Sequence, residues 1–591
     1  MRNLSGLVWI FLFAGLFGAT VAAAQEQPWS VRAANAAMKS WPATTSSPAG
    51  TAPEWTQGQG VLLEGLEAVW KNTVDRQDFL YIEQSVNPQV GPEGQLPWPK
   101  AHRNQMSASE LGQPLMLLYG VTLEKRYYNA ATTLDEQLSH QPPSLDGFDR
   151  AAPFLAAYAL RFHHREMFPK LAQQFATRQY ELFGNQARGE KGLTGKVGVP
   201  RTALYVAALV DTIPSLREDP AARKKLITIL NTDAETIARR QDSQTGLWNK
   251  LSANPAAKVS PDVAASCLFV YALAKGVRRG YLPERYDAVA ERGYRAVISQ
   301  FVTGGPDDSF ALHGTPSSPL EMGAFILAST EIENVKNAKI GRGDNVMVDG
   351  WFNSQMRTDV TGHEIYFHYK WSEESEPGYS LWGHAFRNFG ARTTSLYAEP
   401  TFENLKPAQV YIIASPDNLE KNPHAHFANA QDAEQIARWV KSGGVLAIME
   451  NDTSFADLEH FNIVSEKFGI HFNSVLRMHV VGRDWAMGRF HIDGNGPIFD
   501  RPLTCYVKDV STISVSGPAR AVYTHEGDIF MAVAKYGKGT VYAMVDPWFY
   551  NEYTNGLKLP AEYQNYAAGV ELARWLLQPV PGHKESKAAR R

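Results

Sequence analysis

The feature that most constrains this chain is a helical periodicity that runs from about residue 30 to residue 333. Apolar residues return there every three or four positions, and turns rich in Gly, Pro, Asn and Ser separate the apolar stretches. The pattern predicts about twelve helices of ordinary globular length. Their expected starts lie near residues 30, 59, 78, 107, 124, 152, 168, 201, 220, 262, 285 and 320.

Twelve helices joined by short loops fit six helical hairpins closed into a ring, which is the (α/α)6 barrel. One segment, AAPFLAAYALRF at residues 151–162, is apolar on nearly every face and is typical of an inner helix of such a ring. An open superhelix of helical pairs shows the same periodicity, so both arrangements stay open at this point.

Beyond residue 338 the pattern changes to short β-branched runs that alternate with helices. Strands are predicted at residues 409–415, 443–450, 520–525, 529–536 and 539–546, and helices at 432–442, 457–469 and 563–577. Such alternation favours a mostly parallel sheet covered by helices. We therefore predict a multidomain chain with an all-α (α/α)6 barrel at residues 25–338, an α/β three-layer domain at 345–580 and a disordered tail at 581–591.

The N-terminus has the composition of a targeting segment. Arg2 precedes an almost wholly apolar stretch from Leu4 to Val21, and three alanines follow before Gln25. This pattern predicts a cleaved signal peptide at residues 1–24 and a periplasmic or secreted protein with no membrane contact after cleavage. A retained membrane anchor is the alternative, because the apolar stretch is nearly long enough to span a bilayer.

Composition excludes several classes of partner and cofactor. The 58 Lys and Arg residues nearly balance the 61 Asp and Glu residues, so we expect no binding to nucleic acid through a basic surface. The 14 Trp and 24 Tyr residues favour carbohydrate stacking, although core packing explains many of them. Cys267 and Cys505 fall in different predicted domains and are expected to be buried free thiols. Since no motif with metal-ligand spacing is present, we expect no metal and no organic cofactor.

Seven sequence segments of the helical region follow one another in the same order as in one group of enzymes. They are SVRAANAAMKSWP (30–42), GVLLEGLEAVWKNT (60–73), YYNAATTLDEQLSHQP (127–142), LDGFDRAAPFLAAYA (145–159), RRQDSQTGLWNK (239–250), LFVYALAKGVRRGYL (268–282) and EMGAFILASTEIE (321–333). Together they resemble the unsaturated rhamnogalacturonyl and unsaturated glucuronyl hydrolases, glycoside hydrolase families 105 and 88. The resemblance implies an (α/α)6 barrel that removes a terminal unsaturated uronic acid from oligosaccharides.

The resemblance also implies a catalytic residue. In these enzymes the aspartate of a D-G-L-Y-M-A-x-P-F stretch hydrates the C4=C5 double bond of the uronate, and the hemiketal that results releases the sugar. The matching string here begins at Asp146, which becomes the candidate proton donor. A carboxyl at the mouth of an apolar barrel can have its pKa raised by desolvation, as a general acid requires. The structural alternative is that Asp146 caps the following helix or forms an Asp-Gly turn.

Other residues near this string are candidates for substrate binding. Arg150 can bind a substrate carboxylate through two hydrogen bonds, or it can form an internal ion pair with Asp149. Trp248 can stack on a sugar or pack at the rim, and His313 can face substrate or solvent. Asp262 is expected to cap a helix.

Three family motifs are altered. The W-G-R-G-x-G-W run is replaced by VGVPRTALYVAALVD at residues 197–211. The second aspartate of the family falls on Ser107, so Glu110 is the nearest carboxylate and another substrate-binding candidate. The aromatic insert before the catalytic aspartate is missing after His140. Either the substrate differs from an ordinary unsaturated galacturonate, or hydrolysis has been lost.

The second predicted domain resembles the flavodoxin-like or class I glutamine amidotransferase-like modules fused to some of these barrels. The strings DGWFNSQMRTD (349–359), HYKWSEESEPGYS (368–380) and DPWFYNEY (546–553) carry this resemblance. No cysteine follows a strand in the way amidotransferase chemistry requires. The polar and aromatic side chains of 546–553 are expected to contact the barrel, with sugar binding as the alternative.

Three functions remain open from the sequence. The first is an exported glycoside hydrolase that removes a terminal unsaturated uronic acid by hydration assisted by Asp146. The second is a glycosidase that acts on saturated glucuronic or galacturonic ends, in which Asp149 or Glu110 is the second carboxyl. The third is a catalytically inactive glycan-binding protein. In each case the expected partner is an oligosaccharide that carries a uronic acid.

Overall fold

The computed structural model describes residues 27–43, 58–96, 109–140, 145–184, 199–249, 261–305, 309–313 and 318–578. The part before residue 336, called here the helical region, consists mainly of α-helices. These are α1 Trp29–Ser40, α2 Gln59–Thr73, α3 Arg76–Val86, α4 Gly112–Thr122, α5 Lys125–His140, α6 Leu145–Arg161, α7 Met167–Phe183, α8 Val199–Thr212, α9 Pro220–Arg240, α10 Val263–Arg278, α11 Arg285–Phe301 and α12 Pro319–Val335.

Most of these helices begin close to their predicted positions, with two exceptions. The helix predicted from residue 107 begins at Gly112, and the helix predicted from residue 152 begins at Leu145. The second difference arises because the apolar segment 151–162 marked the predicted helix, whereas the observed helix includes the six residues before that segment. In the structure Pro153 lies inside α6.

The even-numbered helices form the inner set. In the order α2, α4, α6, α8, α10 and α12, each packs against the next, and α12 packs back against α2. The odd-numbered helices pack outside them, each against its neighbours in sequence. This division is visible in burial, since α10 is buried along nearly its whole length whereas α11 buries one face. The series of contacts between inner helices therefore begins and ends at α2.

Glycines allow several inner helices to approach closely. A Cβ atom added at Gly323 of α12 would lie 2.5 Å from the backbone nitrogen of Leu62 in α2. A Cβ at Gly60 would lie 2.6 Å from the carbonyl oxygen of Glu110, and one at Gly112 would lie 2.4 Å from the Phe154 ring. Since real Cβ contacts are not this short, any side chain at these positions would push the helices apart.

The part from residue 345 onward, called here the sheet region, follows a small hairpin formed by β1 Val302–Gly304 and β2 Phe310–Leu312. Its strands are β3 Asn345–Asp349, β4 Met356–Thr358, β5 Glu364–Tyr366, β6 Arg392–Leu396, β7 Val410–Ala414, β8 Val445–Met449, β9 Ile470–Arg477, β10 Arg489–Ile492, β11 Leu503–Tyr506, β12 Val510–Val515, β13 Ala519–His525, β14 Asp528–Tyr536 and β15 Gly539–Met544. Its helices are α13 Ser380–Asn388, α14 Phe402–Leu405, α15 Ala430–Ser442, α16 Leu458–Ser465, α17 Asn551–Thr554 and α18 Asn565–Leu577.

The main sheet has the strand order β6-β3-β7-β8-β15-β14-β12-β9, and β13 pairs with β14. The pairs from β6 to β15 are parallel, and the pairs beyond β15 are antiparallel. The prediction of a mostly parallel sheet is therefore right for one half and wrong for the other. The cause is that strands after residue 469 follow one another without the helices that parallel crossovers require.

Several smaller predictions are confirmed. The strands predicted at 409–415, 443–450 and 529–536 correspond to β7, β8 and β14, and β14 joins β15 through a tight hairpin in which Tyr536 faces Gly539. Cys267 and Cys505 are buried and free. Within the described ranges, no helix has both the length and the apolar composition needed to cross a membrane. Residues 1–24 and 581–591 lie outside those ranges.

The two regions meet at the C-terminal ends of inner helices. In α2, the indole N–H of Trp70 donates to the carbonyl oxygen of Asn555 at 3.0 Å, and the hydroxyl of Tyr566 donates to the carbonyl oxygen of Lys71 at 2.6 Å. In α6, Arg161 pairs with Glu374 at 3.0 Å. Ordered side-chain contacts therefore link the two regions on this side.

The segment 546–553 contributes less to this junction than the sequence suggested. Trp548 is buried and packs against Phe490 and Phe549 of the sheet region. Asn551 donates to backbone oxygens of Glu373 and Ser375, also in the sheet region. The preferred prediction of a direct contact with the barrel is replaced at these two residues by contacts inside the sheet region, where Trp548 has aromatic neighbours and Asn551 has its hydrogen-bond acceptors.

Replacing Gly323 with alanine is expected to lower the free energy of unfolding by about 1–3 kcal/mol, since the added methyl group meets backbone atoms that have no room to move. The measurement is thermal or urea unfolding followed by circular dichroism. Gly496→Ala is the matched control, because nothing lies within 4 Å of a Cβ at that position. Equal stability of the two variants would contradict the close approach of α2 and α12.

Candidate active site

The first two turns of α6 carry three of the predicted site residues. Asp146 lies in the first turn, directly after Leu145, and its side chain is outside the described part of the structure. Asp149 and Arg150 follow on the second turn and are buried. The early start of α6 therefore places all three candidates on one inner helix. The role of Asp146 as proton donor stays a prediction.

Arg150 forms a buried ion pair with Glu64 of α2. Burial raises the pKa of Glu64 to about 7, and the nearby Arg150 guanidinium lowers it only in part. Burial alone would lower the pKa of Arg150, but the carboxylates of Glu64 and Glu110 outweigh burial and raise it. The site therefore contains a permanent cation beside a carboxyl that changes protonation near neutral pH.

Arg150 retains hydrogen-bonding capacity beyond this pair. One terminal nitrogen donates to Glu64. Among the described residues, the buried Nε–H of Arg150 meets no hydrogen-bond acceptor. A guanidinium recognises a planar carboxylate through two parallel N–H donors, so an unsatisfied buried N–H is chemically suited to an acidic ligand.

Sequence reasoning missed Glu64. No motif relates residue 64 to residue 150, and they meet only because α2 and α6 both belong to the inner set. A signal was nevertheless present, because Glu64 interrupts the apolar run Val61, Leu62, Leu63 on a helix that is buried along this stretch. A charged residue within such a run calls for a partner or for a function.

A second polar group lies on neighbouring inner helices. The Tyr271 hydroxyl donates to a carboxylate oxygen of Asp211 at 2.6 Å, and Lys275 pairs with the same oxygen at 2.5 Å. The charge of Asp211 contributes to the raised pKa of Glu64. Polar side chains of α8 and α10 therefore act electrostatically on the Glu64–Arg150 pair.

Two predicted binding residues have structural roles in the fold. The carboxylate of Glu110 accepts from the backbone N–H of Gly58 at 2.9 Å and of Gly60 at 3.0 Å, which satisfies the N-terminus of α2. Trp248 is 3% exposed, and its indole N–H donates to the carbonyl oxygen of Ile237 at 2.8 Å. The structure thus shows capping at Glu110 and packing at Trp248, and sugar binding by either residue stays a prediction.

Asp262 and His313 also lie in the described part of the structure. Asp262 accepts from the backbone N–H of Ala265 at 2.9 Å and caps α10, as predicted. His313 is exposed after β2, and one of its ring nitrogens lies 2.5 Å from the hydroxyl oxygen of Thr303. Asp146, Asp149 and Arg150 lie on α6, where Arg150 pairs with Glu64 of α2, whereas His313 follows β2.

The candidate site contains no described group of three metal-ligating atoms. Where the structure describes the chain, ligand atoms close enough to share an ion belong to His163, Asp359 and His363. His163 lies thirteen positions beyond Arg150, which corresponds to about 20 Å along a helix. The described side chains nearest Arg150 offer carboxyl groups.

One segment of the helical region matches the model of a known family. Residues 202–335 match the model of Glycosyl Hydrolase Family 88. This segment comprises most of α8 and continues through α12, so it includes Asp211 and Tyr271 but not the first turns of α6.

Several solved structures are similar to this chain. A glycoside hydrolase of family 105 from C. acetobutylicum has 23% identity and a TM-score of 0.45, covering 52% of this chain and 99% of that chain. A family 88 glycosyl hydrolase from Bacteroides vulgatus has 14% identity and a TM-score of 0.43, covering 52% and 97%. A possible family 105 member from Salmonella enterica has 19% identity and a TM-score of 0.39, covering 47% and 83%.

Replacing Arg150 with methionine is expected to destabilise the protein by about 3 kcal/mol at pH 8, because Glu64 must then either stay buried as an unpaired carboxylate or take up a proton. The Glu64→Met, Arg150→Met double variant should regain most of this loss, since it buries neither charge. The measurement is unfolding of the unmodified protein, Arg150→Met, Glu64→Met and the double variant at pH 8 and pH 5. The single-variant loss should shrink at pH 5, where Glu64 is protonated. Strictly additive losses would argue against the pair.

Proposed function

We propose that this protein is a glycoside hydrolase that removes a terminal unsaturated uronic acid from oligosaccharides. The observation that carries the proposal is the Glycosyl Hydrolase Family 88 match at residues 202–335, within the same helical region as the candidate site. We assign the helical region to the (α/α)6 barrel, and the return of the inner helix contacts from α12 to α2 supports this assignment.

The proposed reaction begins with Asp146 as a carboxylic acid. Its proton adds to C4 of the unsaturated uronate, and the electron pair of the C4=C5 bond forms the new C–H bond, which leaves positive charge shared by C5 and the ring oxygen. The resulting Asp146 carboxylate accepts a proton from water as the water oxygen bonds to C5. The hemiketal then opens and releases the remaining sugar. Asp146 thus donates one proton and recovers one.

Arg150 is proposed to bind the uronate carboxylate. Its buried guanidinium holds a permanent charge, and its Nε–H is unsatisfied among the described residues. Glu64 regulates this charge, because a protonated Glu64 leaves Arg150 uncompensated and an ionised Glu64 neutralises it. Asp149, next to Arg150 on α6, is proposed to help hold the substrate in this position.

One observation favours hydrolysis of saturated uronides as a second candidate. Glu64 is a buried carboxyl whose pKa is raised to about 7, as a general acid needs. With Asp146 it would supply the carboxyl pair of an ordinary glycosidase, in place of Asp149 or Glu110. A separation of about 5–5.5 Å would predict retention, and about 6.5–9.5 Å would predict inversion of configuration.

The proposed function includes export of the protein and its division into two domains. Residues 1–24 are proposed to direct export and to be removed, which leaves a periplasmic or secreted enzyme with a barrel at 25–338 and an α/β domain at 345–580. Sequencing the N-terminus of the mature protein tests the cleavage site directly. A mature chain that retains Leu4 to Val21 would support a membrane anchor instead.

Replacing Asp146 with asparagine is expected to lower kcat for unsaturated oligosaccharides by at least about 100-fold, because the amide has no proton to donate. Loss of the ultraviolet absorbance of the conjugated uronate measures the reaction with products of pectin, glycosaminoglycan and ulvan lyases. Asp75→Asn is the matched control, since Asp75 caps α3 and asparagine is an equally good cap. Retained activity in Asp146→Asn would overturn the assigned proton donor.

Saturated uronides tested in parallel separate the remaining possibilities. Turnover of saturated but not unsaturated substrates would favour the second candidate. Binding of either substrate without turnover by the unmodified protein would favour the inactive glycan-binding protein.

The KM for an acidic substrate is expected to rise as the pH increases through about 7, because Glu64 ionises there and competes with the substrate carboxylate for Arg150. The value of kcat should change less, since binding is the step affected. In Glu64→Gln the rise of KM near pH 7 should disappear. A pH profile of KM that is the same in both proteins would argue against this role of Glu64.

A further inference from the structure

Three potential metal ligands meet where the two regions join. His163 follows the C-terminal end of α6, and Asp359 and His363 lie in the loop between β4 and β5. One ligand atom from each residue lies within 4.8 Å of the others. The carboxylate of Asp359 is largely buried, His163 is half-buried, and His363 is exposed, so the trio is reachable from solvent.

Hydrogen bonds fix the tautomer of His363. The hydroxyl of Thr361 donates its single proton to Oδ1 of Asp359 at 2.7 Å. The same hydroxyl oxygen lies 2.8 Å from Nδ1 of His363, so it accepts a hydrogen bond from a protonated Nδ1. This assignment leaves Nε2 of His363 with a free lone pair. Metal-binding histidines are commonly oriented in this way by a partner on their other ring nitrogen.

The geometry of the other two ligands suits a tetrahedral ion. Nε2 of His163 lies 3.3 Å from Oδ2 of Asp359. The edge of a tetrahedron is about 1.63 times the ligand bond, so zinc bonds of about 2.0 Å correspond to ligand atoms about 3.3 Å apart. Oδ1 of Asp359 is occupied by Thr361 and by the backbone N–H of His363, which leaves Oδ2 for a metal.

The backbone holds the ligands in place without a metal. His163 has a φ of 66°, a left-handed conformation that a non-glycine residue rarely adopts. Its ring packs against that of His363 with 4.4 Å between centroids. Despite partial burial, the hydrogen bonds from Thr361 and His363 lower the pKa of Asp359, which keeps the carboxylate ionised. A prearranged set of two imidazoles and one carboxylate is a donor set that zinc accepts.

We propose that His163, Asp359 and His363 bind one Zn²⁺ ion that links the helical region to the sheet region, with water as the fourth ligand. Spacing motifs do not reveal this site, because His163 and Asp359 are separated by 196 positions in the sequence. Binding displaces the proton between His163 and Asp359 and replaces their hydrogen bond by two metal bonds. The site is independent of the proposed hydrolase activity.

The test uses the full chain, freed of metal by chelation and dialysis and then titrated with ZnCl2 in a calorimeter. One equivalent is expected to bind and to raise the melting temperature, because zinc binds the folded junction and not the unfolded chain. Titration with Co²⁺ should give the intense visible absorption of a four-coordinate site. Absence of stoichiometric binding to the unmodified protein would overturn the proposal.

Variants distinguish this site from other zinc ligands. His163→Ala and His363→Ala should each abolish the one-equivalent binding and the rise in melting temperature. Thr361→Val keeps all three ligands but removes the hydrogen bond that orients His363, so it should weaken zinc affinity by about 10- to 100-fold. His164→Ala is the matched control, since His164 is exposed and pairs with Glu166. Unchanged binding in His163→Ala, or lost binding in His164→Ala, would contradict the assignment.

Discussion

The close packing of the inner helices is the constraint on which the site depends. At Gly60, Gly112 and Gly323, backbone or ring atoms of a neighbouring helix occupy the space where a side chain would begin. Because α2, α4, α6 and α12 approach so closely, residues on different helices come within hydrogen-bonding distance in the interior. Glu64 of α2 reaches Arg150 of α6 for this reason. If α2 and α6 moved apart, Glu64 and Arg150 would separate even if both helices stayed intact.

The Glu64–Arg150 pair also explains why the interior tolerates charge. A buried arginine without a partner would cost several kcal/mol, and a buried glutamate alone would take up a proton. The charges of the two side chains compensate each other when Glu64 is ionised. Because the pKa of Glu64 is raised to about 7, this compensation depends on pH near neutrality. Evolution can replace such a pair with apolar residues at little cost to stability. A function in recognising an acidic ligand gives a reason for keeping it.

Local features were predictable from the sequence where a single segment determines them. The start of α9 was correct because Asp219 caps it and Pro220 follows, and both signals lie within the segment. The start of α6 was wrong because the apolar segment that marked it begins at Ala151, whereas the helix begins at Leu145. The antiparallel half of the sheet was only partly predicted, since strands such as β9 have mixed burial and little hydrophobic alternation.

Side-chain partners across the fold were not predictable in the same way. The motifs around Glu110 and Trp248 do not show that Gly58 and Ile237 are their hydrogen-bond partners. The contact between His163 and Asp359 was missed for the same reason, because it depends on how the two regions pack.

The contacts of the sheet region with the helical region lie at one end of the inner helices. Lys71, Arg161 and Arg278 meet it at the C-terminal ends of α2, α6 and α10, whereas Asp146 lies at the opposite end of α6, a helix about 25 Å long. The described contacts of the sheet region therefore hold the inner helices at the end away from Asp146, and we propose that side chains of the helical region bind the sugar.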